Sequence, residues 1–230
     1  MTAAAPVIAI DGPSASGKGT VAANVARALG FHYLDSGALY RLVALDALQS
    51  KSSLEDEAQL ARRAASMRIE FRDAKTWLDG RDVTAQLRTE EASAAASKVA
   101  AQPAVRTALF ERQQAFRQLP GLVAEGRDMG SVVFPQAALK VYLTASMETR
   151  AERRYKQLIE KGMYAKMEDV VEELRRRDER DRSRPVAPLR HYPDAIFLDT
   201  SGLSIDEAVE RILGWWRERA GTPGNSPRQA

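Results

Sequence analysis

The chain has 230 residues, 44% of them hydrophobic and 28% charged, with a formal net charge of +3. That is the balance of one globular domain able to bury a full core, not of a disordered chain. With no cysteine and only two histidines, disulfides and thiolate metal sites are excluded, a histidine-built metal centre is not expected, and a reducing cytoplasm fits.

MTAAAPVIAIDG lacks the basic start and long apolar run of a secretory signal, and no stretch reaches the ~20 apolar residues of a membrane helix, so no membrane association is expected. VIAI, Val7 to Ile10, has the length of a buried parallel strand. DGPSASGKGT follows, and then Val21, Val25 and Leu29 at helical spacing up to Gly30, a helix stop. FHYLDSG predicts a second strand with a turn at Asp35 to Gly37, and ALYRLVALDAL predicts a helix behind it. The polar KSSLEDEA connects to another helical stretch. Between Arg68 and Leu87 the period changes. Ile69 and Phe71 alternate with charges, Trp77 and Leu78 follow, and Asp79-Gly80 is a turn dipeptide, which together predict a small hairpin insert. EEASAAASKVAA predicts an alanine-rich helix. QPAVRTALFERQQAFRQL predicts the next, with Pro103 in the first turn, where its missing N–H costs little, and Val105, Leu109 and Phe116 as the apolar face.

Pro120-Gly121 turns into the strand opening LVAEGRDMG, and LKVYLTA (Leu139 to Ala145) is a buried strand. Ser146 caps a charged helix ending near Gly162, a second charged helix starts near Glu168, and AIFLDT (Ala195 to Thr200) is the last strand. Ser204 and Glu207 have capping-box spacing before a helix whose stripe is Ile205, Val209, Ile212 and Trp216. GTPGNSPRQA, residues 221–230, is expected to be a disordered tail. Strands alternating with helices predict an α/β fold: a three-layer α/β/α domain over residues 1–220 with a central parallel sheet covered on both faces.

Gly12, Gly17 and Lys18 have phosphate-loop spacing, directly behind a strand and opening a helix. In the stretch Gly12, Pro13, Ser14, Ala15, Ser16, Gly17, Lys18, Gly19 and Thr20, the glycines let backbone N–H groups curl inward toward anionic oxygens. The helix start adds partial positive charge, and Lys18 can reach the β- and γ-phosphates. The hydroxyl residue that usually follows the lysine is displaced by one place, to Thr20. The loop implies a nucleoside triphosphate but not a reaction, since motors, switches and small-molecule kinases share it. A motor would show an apolar strand ending in paired acids, and no candidate strand here does.

The arginines narrow the choice. Ser36 and Arg41 in LDSGALYR, and Arg127 and Asp128 in EGRDMG, follow strands and so gather at the phosphate-loop edge of a parallel sheet. Arg150, Arg153 and Arg154 share one helix face, and Arg177, Asp181 and Arg184 share another. Such faces can be solvated surface, a nucleic-acid contact or a phosphate clamp. Acids interleaved at Asp178, Glu179 and Asp181, with no exposed aromatic platform, weigh against nucleic acid; clustered guanidiniums weigh for phosphates. Phosphoryl transfer is mainly positioning and neutralising spread charge. A phosphate acceptor needs no strong base, and none is evident near the loop. The combination points to a kinase acting on a nucleoside monophosphate.

IDGPSASGKGT, LDSGALYR, ASAAASKVAAQPAVR, GRDMGSVVFP and RRDERDRSR, in that order from Asp11 to Arg184, resemble the bacterial cytidylate kinases. The resemblance implies a P-loop NTPase core with a small β-containing monophosphate-binding insert, about 62–105, and a short helical lid, about 150–168, with no zinc. It implies ATP as donor, Mg²⁺, the acceptors CMP and dCMP, and a monomer without nucleic-acid partners. By position, Gly12 to Thr20 and Arg150 would hold the ATP phosphates, with Thr20 touching Mg²⁺. Ser36, Arg41, Arg127 and Arg184 would hold the CMP phosphate, and Arg177 and Asp181 the sugar. Ser97, Arg106 and Asp128 would read the cytosine, whose amino group an acid can accept while a uracil carbonyl would face it unpaired. Lys18, Arg127, Arg153 and Arg154 would act on the moving phosphoryl group. A kinase for UMP or AMP, or a nucleotide-dependent RNA-binding switch, stays open at this point.

Overall fold

A computed structural model describes residues 4–72 and 75–220. The tail expected at 221–230 lies outside the described residues. Strand β1 (Val7–Asp11) leads into helix α1 (Lys18–Leu29), and β2 (His32–Asp35) into α2 (Ser36–Gln49). Helix α3 (Glu57–Ser66) precedes β3 (Ile69–Arg72), β4 (Lys75–Leu78) and β5 (Arg81–Asp82); α4 (Glu90–Val99) and α5 (Pro103–Gln114) follow. Then come β6 (Leu122–Gly126), β7 (Leu139–Thr144), α6 (Met147–Glu160), α7 (Met167–Ser183), β8 (Ile196–Asp199) and α8 (Ile205–Ala220).

The main sheet runs β2-β6-β1-β7-β8, with every pairing parallel. All five residues of β1 are buried, as a central strand with both faces covered demands. Its alternation assigns the layers. Ile8 and Ile10 join Val141 and Leu143 beneath Val21 and Val25 of α1 and Ile212 of α8. Val7 and Ala9 face the other way, onto Leu39 and Val43 of α2, with Leu60 and Leu109 completing that core. Each fully buried leucine or isoleucine contributes roughly 1.5–3 kcal/mol by area, an upper figure because unfolded chains already bury some surface. The expected three-layer α/β/α architecture is what forms. Between α6 and α7 a separate small cluster of Ala151, Leu158, Val170 and Leu174 packs, touched by Ala15 of the phosphate loop.

Local differences from expectation have local causes. No turn separates β2 from α2: Asp35 accepts the Ala38 N–H at 3.0 Å and caps the helix, which therefore starts at Ser36. The inserted hairpin is a three-stranded antiparallel ribbon, β3-β4-β5, and Asp79-Gly80 joins β4 to β5. Both residues have positive φ, 47° and 80°, as a two-residue hairpin link requires. In the α8 stripe Val209 and Ile212 are buried and Trp216 meets Phe31 edge-on at 5.6 Å, but Ile205 at the helix start is exposed. Among the described residues no helix is long and apolar enough to cross a membrane.

Candidate active site

In the main sheet β6 lies between β2 and β1, so the segments leaving those three strands meet at one edge. There they enclose a cleft of about 250 Å³. The phosphate loop contributes Ser14, Ala15 and Lys18; the α2 start contributes Ser36 and Arg41; Ser97 and Arg106 come from α4 and α5. Arg127 and Asp128 follow β6, and Arg154, Arg177, Asp181 and Arg184 come from the α6–α7 side. Gly12, Pro13, Ser16, Gly17, Gly19, Thr20, Arg150 and Arg153 are not in its wall.

The loop is built to aim its amides. Gly12 crosses β7 so closely that a Cβ would land on the Leu143 carbonyl oxygen, and Gly17 adopts φ 90° where the helix begins. Two carbonyls of the loop are held from outside: Arg150 Nη1 donates to Ser14 O at 3.2 Å and Arg153 Nη1 to Ser16 O at 3.0 Å. The N–H groups of Ser14 to Gly17 meet no protein acceptor among the described residues, and Ser16 Oγ is buried without a partner. Buried donors left unmatched by protein suit an anion with several oxygens. Lys18 Nζ donates to Pro13 O at 3.3 Å and stands 3.7 Å from Glu125 Oε2. Burial pushes Lys18 down to about 8, helped by Arg127, and pushes Glu125 up to about 7 against the pull of Lys18. Desolvation thus outweighs their mutual attraction.

Two of the helix arginines expected at the phosphates lie behind the loop rather than in the cleft wall. Arg150 is 4% exposed, ion-paired with Asp178 at 2.8 Å, and also donates to Ala145 O. Arg153 turns toward β8 and donates to Thr200 O at 2.7 Å and to Thr200 Oγ1. Both brace the loop from behind. Arg154, one residue on, does reach the cleft and forms an ion pair with Glu90 at the start of α4. Helical spacing puts such residues on one side, but not all of them into one cavity. Thr20 is exposed on the first turn of α1.

On the opposite wall Arg127 is the bridge. Its Nε donates to Asp181 at 2.6 Å and its Nη2 to Ser14 Oγ at 2.8 Å. Arg41 pairs with Asp35 at 2.5 Å; burial alone would raise that carboxyl, but Arg41 and the Ala38 N–H hold it below the usual range. Ser36 Oγ donates to the Glu125 carbonyl at 2.8 Å. Deeper in, Arg106 and Asp128 form a buried ion pair, and Arg184 Nη2 lies 3.8 Å from Asp128 Oδ1 with no hydrogen-bond partner. Ser97 Oγ is likewise buried and unpartnered. Arg177 stands 3.6 Å from Glu173 at the cleft margin. The walls therefore offer one guanidinium nitrogen, a hydroxyl and backbone amides for which the protein provides no hydrogen-bond match among the described residues.

Asp35 and Glu125 are members of the site that sequence reasoning misses, since no acid near the loop is evident there. Their signals are an aspartate one residue before a helix and a glutamate ending an apolar strand. Among the described residues no three acidic or histidine side chains group as a metal site. Magnesium that keeps water and phosphate ligands fits such a donor-poor place.

The family model described as cytidylate kinase matches residues 8–218. A cytidylate kinase of Chromobacterium violaceum is 58% identical over 214 residues, covering 93% of this chain and 96% of the relative. One of Nitrosomonas europaea is 54% identical over 213 residues, covering 93% and 96%. Among solved structures, an uncharacterized protein from Eubacterium ventriosum aligns with TM-score 0.51 at 12% identity, over 91% of this chain and 97% of that one. A gluconokinase from Sinorhizobium meliloti aligns with TM-score 0.50 at 14% identity, over 94% of each chain. At those identities the structural likeness speaks for the fold alone.

Proposed function

The chain belongs to the cytidylate kinase family, and from that premise we propose how its residues carry the reaction. The enzyme transfers the terminal phosphoryl group of ATP to CMP, giving ADP and CDP. In the proposed arrangement dCMP is also an acceptor, and the enzyme works as a monomer in the cytoplasm, a setting that the cysteine-free sequence supports. The lid spans about 150–168 and the insert about 62–105.

ATP phosphates lie along the loop Gly12 to Thr20, met by the amides of Ser14 to Gly17, with Lys18 on the β- and γ-oxygens. Arg150 and Arg153 serve this binding by holding the Ser14 and Ser16 carbonyls away from the anion. Mg²⁺ would be held by phosphates, water and the Thr20 hydroxyl, and would supply neutralisation of phosphate charge. Ser36, Arg41, Arg127 and Arg184 take the CMP phosphate, and Arg177 and Asp181 take the sugar. Asp128, held by Arg106, accepts from the cytosine amino group, and Ser97 supplies a hydroxyl beside it. Arg127 and Lys18 neutralise the phosphoryl group in transit, and Arg154 joins them by leaving Glu90. The acceptor oxygen is already anionic near neutral pH, so no residue has to remove a proton.

One observation carries this reading: Arg127 touches Ser14 of the phosphate loop on one side and Asp181 on the other, and stands next to Asp128. A single cation thus serves both the donor and the acceptor. Arg154, Arg177 and Arg184 turn into this cleft rather than onto an open surface, which does not favour an RNA-binding switch. A coupled assay is expected to show ADP release from ATP when CMP is added, with CMP well ahead of UMP and AMP. ADP release that ignores the acceptor would overturn the reading.

A further inference from the structure

Asp11 is the last residue of β1, directly before the phosphate loop, and it is fully buried. Its carboxylate looks away from the loop and across to the segment that leaves β6. Oδ1 accepts the Met129 N–H at 2.8 Å, and Oδ2 accepts the Gly130 N–H at 2.9 Å and the Tyr192 hydroxyl at 2.6 Å. Met129 opens a single π-helical turn, Met129–Val133, and the two residues before that turn are Arg127 and Asp128. The carboxylate therefore grips the start of the turn that delivers both side chains to the cleft. The third donor is itself fixed: Lys140 lies over the Tyr192 ring at 5.7 Å and pairs with Asp194 at 2.6 Å. Glycine at 130 is what permits this approach, because a Cβ there would land on the Tyr192 hydroxyl oxygen.

We propose that Asp11 is a positioning residue for catalysis: it sets the register of Arg127 and Asp128 against the phosphate loop, so that the acceptor is placed in line with the donor. The proposal rests on the roles given above to Arg127 and Asp128. A carboxylate is suited to the task because both of its oxygens accept and neither donates. Asn in its place would present an NH₂ to one of the two backbone N–H groups. The turn would then have to shift far enough to separate the opposed donors, and displacements of ~1 Å at a reacting centre can cost ~10²-fold in rate.

Two variants test it. In Asp11→Asn, KM for CMP is expected to rise about tenfold and the CMP-to-UMP ratio of kcat/KM to fall, with KM for ATP within about twofold of wild type. Tyr192→Phe keeps both backbone bonds and removes one donor, so the same changes are expected at about threefold, in a protein that folds. A merely structural contact would lower Tm and the active fraction, hence kcat, while leaving KM for CMP and base selectivity as in wild type, and that result overturns the proposal. If Asp11→Asn does not fold, Tyr192→Phe decides by the same criterion. The wild-type control separates the two readings: a wild type that ignores CMP sinks the proposed function, whereas a CMP-dependent wild type beside unaltered variants sinks only the role of Asp11.

Discussion

Arg127 Nη2 donates to Ser14 Oγ at 2.8 Å, so the guanidinium that follows β6 is fastened to the loop that follows β1. The same side chain meets Asp181 of α7 through Nε. Replacing Arg127 with Ala removes the charge proposed to meet both reactants and leaves the half-buried Asp181 without its ion-pair partner. The expected result is a fall in kcat of ~10²–10³-fold with little change in KM for ATP. Circular dichroism and thermal melting check that the fold survives. Near-normal turnover in a folded variant would count against the shared cation.

Ser97 offers a cleaner probe of base recognition than Asp128, because its hydroxyl has no partner in the protein. Asp128→Ala would strand Arg106 and Arg184, whereas Ser97→Ala strands nothing. Its Tm is expected to hold or rise slightly, while KM for CMP rises about tenfold and the CMP-to-UMP ratio drops. Steady-state kinetics with both acceptors reads the outcome, and an unchanged ratio would remove Ser97 from the base site.

Lys18 links activity and stability to pH in opposite senses. Its folded value of about 8 lies below the ordinary 10.5, chiefly through burial. Above about 8 the free enzyme loses the ammonium, so kcat/KM for ATP should fall along an alkaline limb. Over the same window the unfolded chain binds the proton that the native chain has released, so this group makes unfolding free energy rise with pH. Lys18→Met should lack that rise. Urea titrations of both proteins between about pH 7.5 and 9.5 give the difference, with the pH values chosen to bracket the expected step of roughly one proton. Parallel stability curves would mean that Lys18 keeps its proton.

Arg150 and Asp178 are both buried, 5% and 4% exposed at their side chains. Asp178→Ala leaves the guanidinium uncompensated and should cost ~3–5 kcal/mol in a denaturant titration. Arg150→Met combined with Asp178→Leu should recover most of that loss, because the charge that needed a partner is gone. If the double variant is as unstable as Asp178→Ala, the loss comes from packing.

The layers of the fold were legible because strand and helix periods differ and because short apolar runs such as VIAI alternate with helical stretches; which β1 side chain enters which core was not. The phosphate loop was legible from glycine spacing, and the family resemblance picked out Ser36, Arg41, Ser97, Arg106, Arg127, Asp128 and Arg184, which do line one cleft. What stayed hidden depends on direction rather than position. Arg150, Arg153 and Arg154 are equally good helix-face residues, yet Asp178 and Thr200 draw the first two behind the loop and leave only the third in the cleft. Glu125 reads as one more strand residue until the parallel pairing of β1 and β6 sets it beside Lys18. Asp35 reads as a turn residue while the helix is placed from Ala38 onward; its capping role shows only once the helix is seen to start at Ser36.

The α6–α7 pair has its own apolar seam, apart from the two cores that flank the sheet. A body glued internally can swing as a unit without prising either large core open. Its grip on the rest of the molecule concentrates at the root, where Arg150 and Arg153 hold loop carbonyls and Asp181 holds Arg127. Farther along α6, the partly exposed Arg154–Glu90 pair spans to α4, a clasp of a kind worth about 1 kcal/mol or less. The pivot therefore coincides with the glycine-rich loop: a stroke of the free end can shut water out while the fulcrum, and whatever it carries, stays still.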